Sequence, residues 1–163
     1  FSNLKFGITN LKSNDLLSGS ILYDKSRYEF LFNSSTSGYL SILEKIGDHV
    51  SILYPDNCEI SKQQKLIKAN VNYKFFCDNS EYEFCINECN SGWESYLSDG
   101  ADEIISEFIF VFSRNNIVFP NYDNSKTDEF IKVELEDYQK ALIDWISDQN
   151  YMVEKFYKIT EKR

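Results

Sequence analysis

A chain of 163 residues with 42% hydrophobic and 26% charged side chains holds one domain's worth of sequence, long enough to bury a core without staples. Twenty-six acidic against seventeen basic residues give a net charge of −9 and a pI near 4.6. No basic stripe is present to neutralise phosphates, so nucleic acid and anionic membrane are poor partners, and the longest apolar run, Phe108 to Phe112, is far short of the ~20 residues of a transmembrane helix.

Thirteen Phe, eleven Tyr and two Trp stand against one Met. Flat side chains with two torsions suit pleated surfaces and favour β structure, although an AT-rich coding sequence accounts for most of the bias. Residue 1 is Phe, so the chain is expected to have been processed or cut from something longer. A removed signal peptide and an upstream domain fit equally well.

Along the chain, LKFGITNLK (residues 4 to 12) alternates Leu4, Phe6 and Ile8 on one face and reads as a first strand. After turn residues at 14–15 and 18–20, RYEFLFN (27 to 33) sets Tyr28, Phe30 and Phe32 on one side. Leu31 makes the other side apolar too, the mark of a central strand. Tyr39 to Leu43 and His49 to Tyr54 form a hairpin across Lys45 to Asp48, with Gly47 able to take positive φ and Ile42, Val50 and Ile52 as core candidates. Tyr54-Pro55-Asp56-Asn57 stops it.

A second hairpin is expected from Val71 to Phe76 and Glu81 to Ile86 around Asp78-Asn79-Ser80, followed by an irregular acidic loop from 87 to 103. EFIFVFS (107 to 113) reads as a buried strand, and Ile117 to Phe119 as a short edge piece. From 133 to 149 the period changes: Leu135, Tyr138, Leu142, Trp145 and Ile146 mark one face of a helix. Tyr151, Val153, Tyr157 and Ile159 return to period 2 in a final strand. With no internal repeat or long linker, one domain covers 1–163.

The succession YEFLFN, GYLSIL, a Gly turn, VSILYPDN and KLIKANVNYKF resembles a bacterial domain family of unknown function with a GYL…LYPN pattern. The resemblance spans roughly residues 5 to 160, most closely 28 to 76. Asn70 departs from it where the family usually has Gly, and residues 77 to 103 look like an insertion. The family's modules accompany lipoproteins, surface or secreted proteins and caspase-like peptidases. The resemblance implies a binding module of an antiparallel, immunoglobulin-like β-sandwich type, at a periplasmic, envelope or secreted location, with a cytoplasmic one as the alternative. It supplies no catalytic, cofactor or metal residue.

The residues themselves leave several sites to weigh. Cys58, Cys77, Cys85 and Cys89 permit two disulfides in any of three pairings, free buried thiols, or zinc. In an extended strand Cα atoms four residues apart lie about 13 Å from each other, beyond the ~7 Å limit of a bridge, so Cys85–Cys89 requires a turn. His49 with Cys58 or Cys77 could form a nucleophile pair, but as the only histidine it more simply opens a strand. No G-x-S-x-G supports a serine triad.

Glu81, Glu83, Glu88, Glu94, Asp99, Asp102, Glu103 and Glu107 could supply paired carboxylates for glycoside hydrolysis, though with so many acids solvated surface explains them better. Asn121, Asp123, Ser125 and Asp128 lack the central Gly and terminal Glu of a calcium loop. Asn33-Ser34-Ser35 matches a glycosylation sequon, a frequent accident.

The expectation is a non-enzymatic protein-binding or assembly module without cofactor. Its partner surface is the 77–103 region, with Trp93, Tyr96, Asp99 and Asp102 as contact residues. The alternatives are an immunity-type protein neutralising a basic toxin and a small hydrolase or toxin enzyme using carboxylates or a Cys–His pair.

Overall fold

The computed structural model describes residues 4–9, 16, 21–55, 64–75, 93–122 and 131–162. The order is β1 (Leu4–Thr9), β2 (Ile21–Tyr23), β3 (Arg27–Ser34), β4 (Tyr39–Ile46), β5 (His49–Tyr54), β6 (Tyr73–Phe75), β7 (Trp93–Glu94), β8 (Glu103–Ser113), β9 (Ile131–Val133), α1 (Leu135–Ser147) and β10 (Tyr151–Glu161). The described chain is mostly β, with two sheets, one helix and a closing strand. One sheet runs β1-β3-β6, with β7 also on β3; the other runs β2-β10-β8-β4-β5-β9.

The period-2 pattern of the aromatic strands builds the core between them. Phe30 and Phe108 meet edge to face at 4.8 Å, and Phe32 and Phe112 lie 5.2 Å apart. Such pairs add about 0.5–1.5 kcal/mol each beyond the area they bury. Ile8, Leu40, Ile42, Leu53, Tyr54, Ile67 and Tyr73 complete this cluster.

The opposite face of the larger sheet carries Leu43, Val50, Ile52, Ile109 and Val111, on which α1 lays Tyr138 and Trp145. Strand β8 is therefore buried on both faces, which is why its sequence is a continuous apolar run. β3 is central as expected, between β1 and β6.

Several elements differ from the sequence reading. β2 was not anticipated, and it pairs with β10 in parallel, Ile159 opposite Ile21, so the larger sheet is not wholly antiparallel. Three residues are too few to display a period. β8 begins at Glu103, taking residues expected in the acidic loop, because its partner β10 continues to Glu161. Ile131 and Val133 pair with Ile52 and Val50, which delays the helix to Leu135.

Ile117 to Phe119 forms no strand. Instead Gln64 clamps Ile117 by two amide hydrogen bonds of 2.9 Å, one to its N–H and one to its carbonyl. Ile146, expected on the buried helix face, is exposed. One residue past Trp145 is a turn of about 100°, enough to leave the buried stripe. The expected 81–86 strand lies outside the described residues.

Candidate functional site

Cross-strand register on the larger sheet determines what α1 covers and what it leaves open. On the outer face the β10–β8 pairs run Val153–Val111, Lys155–Ile109, Tyr157–Glu107, Ile159–Ile105 and Glu161–Glu103. α1 lies over the first of these. Its Tyr138 hydroxyl, without a hydrogen-bond partner among the described residues, is pushed up to about 12 by burial, then by Glu107 and Tyr157. Lys155 pairs with Glu107 at 3.0 Å.

Beyond that point nothing in the described chain covers the sheet. Ile21, Ile159 and Ile105 form one row across β2, β10 and β8. Ile21 is 53% exposed, Ile105 51% and Tyr157 50%, with Tyr23 exposed at the next position. Glu103 and Glu161 face each other directly at the border of this row, and among the described residues neither has an ion-pair partner. Like charges placed opposite one another disfavour the pairing.

The expected partner residues lie at the same end of β10. Ser95 Oγ and Thr160 Oγ1 are 2.6 Å apart and buried, Leu97 N–H donates to Asp24 Oδ1 at 2.9 Å, and Lys162 N–H donates to the Asp102 carbonyl at 3.1 Å. Tyr96 projects from this tethered segment with 62% exposure, and Asp99 and Asp102 are exposed as well. Trp93 pairs through its backbone with Tyr28. Sequence reasoning found this segment but missed Ile21, Ile105 and Tyr157, since only the register aligns them.

A second concavity of about 340 Å³ opens between α1 and the segment 118–121, lined among others by Phe119, Asp137, Ala141, Asp144, Trp145 and Asp148. Its wall is fixed: Trp145 Nε1 donates to the Val118 carbonyl at 3.0 Å, and Val118 N–H donates to the Tyr151 hydroxyl at 2.9 Å. Trp145 and Tyr151 stack at 6.5 Å.

Between the sheets lies a polar contact that the sequence did not signal. Lys158, 4% exposed, donates to the Tyr28 hydroxyl at 3.2 Å and sits 4.4 Å over the same ring. Burial lowers its pKa to about 8, against the opposing pull of Glu44. Burial likewise raises Glu44, against Lys158 and a Ser106 hydrogen bond, and raises Tyr28, with Glu44 adding to the shift. Lys158 lies on the face of β10 opposite to Tyr157 and Ile159, so the periodicity that identified the strand left it unassigned.

His49 is exposed at the first position of β5, opposite Ile46. Cys58, Cys77, Cys85 and Cys89 lie outside the described residues, as do Glu81, Glu83 and Glu88 and positions 123 to 128 of the calcium-like stretch. Asn33 of the sequon donates to the Asn72 side chain at 2.7 Å. Among the described residues no group of three or more His, Cys, Asp and Glu side chains could hold a metal ion, and no helix is long and apolar enough to cross a membrane. No family model, curated protein or solved structure matches the chain.

Proposed function

We propose that this chain is a non-enzymatic protein-binding or assembly module, an immunoglobulin-like β-sandwich of an envelope-associated or secreted bacterial protein. It grips its partner with the uncovered end of the larger sheet. The observation that carries the reading is the Ile21–Ile159–Ile105 row, exposed at Ile21 and Ile105 and half-buried at Ile159, with the exposed Tyr23 and Tyr157 beside it. A contiguous apolar patch on a sheet face, rimmed by carboxylates, is the usual chemistry of a protein-interaction surface. Tyr96, exposed in the segment tethered to the same end of β10, supplies a further aromatic of the kind that anchors interfaces. The GYL…LYPN resemblance supports the setting.

An immunity-type protein neutralising a basic toxin is the second reading. The facing Glu103–Glu161 pair and the net charge of −9 favour it.

The test is photo-crosslinking in the producing cells from position 157, with position 132 as an exposed control elsewhere on the sheet. One protein captured from 157, absent from 132 and lost in Ile105→Lys, supports the reading. Equal background from both positions overturns it. Intact mass after thiol alkylation tests the location: two disulfides fit an exported module, and four free thiols return it to the cytosol.

A further inference from the structure

We propose that the uncovered end of the larger sheet seats a cationic amphipathic helix of the partner protein. Its apolar stripe lies on the Ile21–Ile159–Ile105 row, and a lysine or arginine beside that stripe meets the Glu103–Glu161 pair. Naming this occupant rests on the protein-binding reading and adds to it the partner's charge and shape.

Shape comes from the register. The row crosses three neighbouring strands, β2, β10 and β8, so its outer members stand about 10 Å apart, the width of one helix. Along β10 the outer face runs Tyr157, Ile159 and Glu161 over about 13 Å, the length of roughly two and a half helical turns. The same face already takes a helix, since α1 lays Tyr138 and Trp145 on its covered part. Strand addition has less to build on, because the edge beside the row is β2, only three residues long.

Charge is the independent argument. Glu103 and Glu161 stand directly opposite each other on neighbouring strands, which disfavours the pairing, and Glu161 is half-buried there. Lys155, the basic residue on this face of β10, is engaged with Glu107 at 3.0 Å. Lys162 follows Glu161 but pairs with neither carboxylate; its N–H holds the carbonyl of Asp102, which brings a further exposed acid to the same border.

Apolar surface alone would suit a partner of any charge, and carboxylates alone would suit water. Side by side, an exposed isoleucine row and an uncompensated carboxylate pair match a segment whose apolar stripe is bordered by basic residues. A second copy of this chain fits poorly, since at a net charge of −9 it brings the same carboxylates to the border.

The methyl resonances of Ile21, Ile105 and Ile159 are followed in the full chain during titration with a helical peptide of leucine and lysine, its leucines on one face. Two further peptides are compared: one with glutamate in place of lysine, and one of the same composition with its leucines dispersed around the helix. Ile143 and Ile146, both exposed on α1, are the controls for indiscriminate coating. Saturable shifts confined to the three row isoleucines, and given by the amphipathic lysine peptide alone, are expected. Glu103→Gln combined with Glu161→Gln should weaken binding roughly tenfold, the scale of one charge-assisted contact. The same double variant should melt no lower than the parent, since it removes a like-charge pair.

Equal shifts at Ile143 and Ile146, equal binding of either comparison peptide, an unchanged affinity in the double variant, or no binding would each overturn the proposal. So would shifts of the row that follow the chain's own concentration without peptide, the mark of a second copy. The protein-binding reading fails separately, on crosslinking from position 157. A partner captured there through an acidic or extended segment upholds that reading and overturns the cationic helix.

Discussion

Lys158 Nζ lies 3.2 Å from the Tyr28 hydroxyl, so that an amine of one sheet is held inside the core by a phenol of the other. A buried ammonium is strongly disfavoured unless its charge is met, and here a single hydroxyl, the faces of Tyr28 and Phe108, and Glu44 meet it. Fixing a cation in this position sacrifices stability at neutral pH.

A pH dependence follows. The folded pKa of Lys158 is lowered to about 8 from 10.5, so between those values the unfolded chain binds more protons than the folded one. Stability should therefore rise as pH increases through that window, by about 2 kcal/mol between pH 7 and 9.5. The raised pKa of Tyr28 has the opposite sign and acts only above pH 10, where the unfolded phenol ionises first. Urea unfolding at pH 7 and 9.5 measures the gain in the parent, and Lys158→Met should lose it. A parent with no gain relative to Lys158→Met would mean that the amine is solvated.

Gly38 is held in place by its neighbours. Its N–H and carbonyl exchange hydrogen bonds of 3.0 and 2.7 Å with Ile67, while a Cβ would stand 2.5 Å from the Ser113 carbonyl and 2.7 Å from the Phe112 ring. Backbone on one side and backbone pairing on the other leave no room to retreat. Gly38→Ala is expected to lose about 1–3 kcal/mol, the range of overpacked cores. Gly47 has φ +57° but open space, and Gly47→Ala should lose only about 1 kcal/mol from its left-handed conformation. Urea midpoints for the two variants decide it, and a Gly38→Ala variant as stable as Gly47→Ala refutes the close approach.

What the sequence disclosed and what it withheld divide along a physical line. Tyr28, Phe30 and Phe32, the run from Phe108 to Phe112, and the Tyr138–Trp145 stripe were legible because their burial follows from local periodicity. Strand β9 was hidden because Ile131 and Val133 are fixed by pairing with β5, not by their own short pattern. The row Ile21–Ile159–Ile105 was illegible for a deeper reason: its members come from distant parts of the chain and meet only through the pairings of β10, parallel with β2 and antiparallel with β8, whose register no local signal announces. Tyr96 was recognisable because an aromatic in an acidic stretch stands out by composition alone.

Glu29 and Lys74 form a buried ion pair with little support, Oε2 and Nζ standing 3.3 Å apart. The contact is electrostatic, since Glu29 Oε2 has no aligned hydrogen-bond donor among the described residues. Its register partner Thr9 likewise has a buried hydroxyl without a partner. Removing one member of such a pair strands the other charge, so Lys74→Met should destabilise by about 3–5 kcal/mol. Removing both should not, because a buried pair barely offsets the desolvation of its own charges. Glu29→Leu combined with Lys74→Met is expected to recover most of the loss, to within about 1 kcal/mol of the parent or above it. A double-mutant cycle by urea unfolding measures the coupling. Additive effects of the two substitutions would show that water, not the partner, meets each charge.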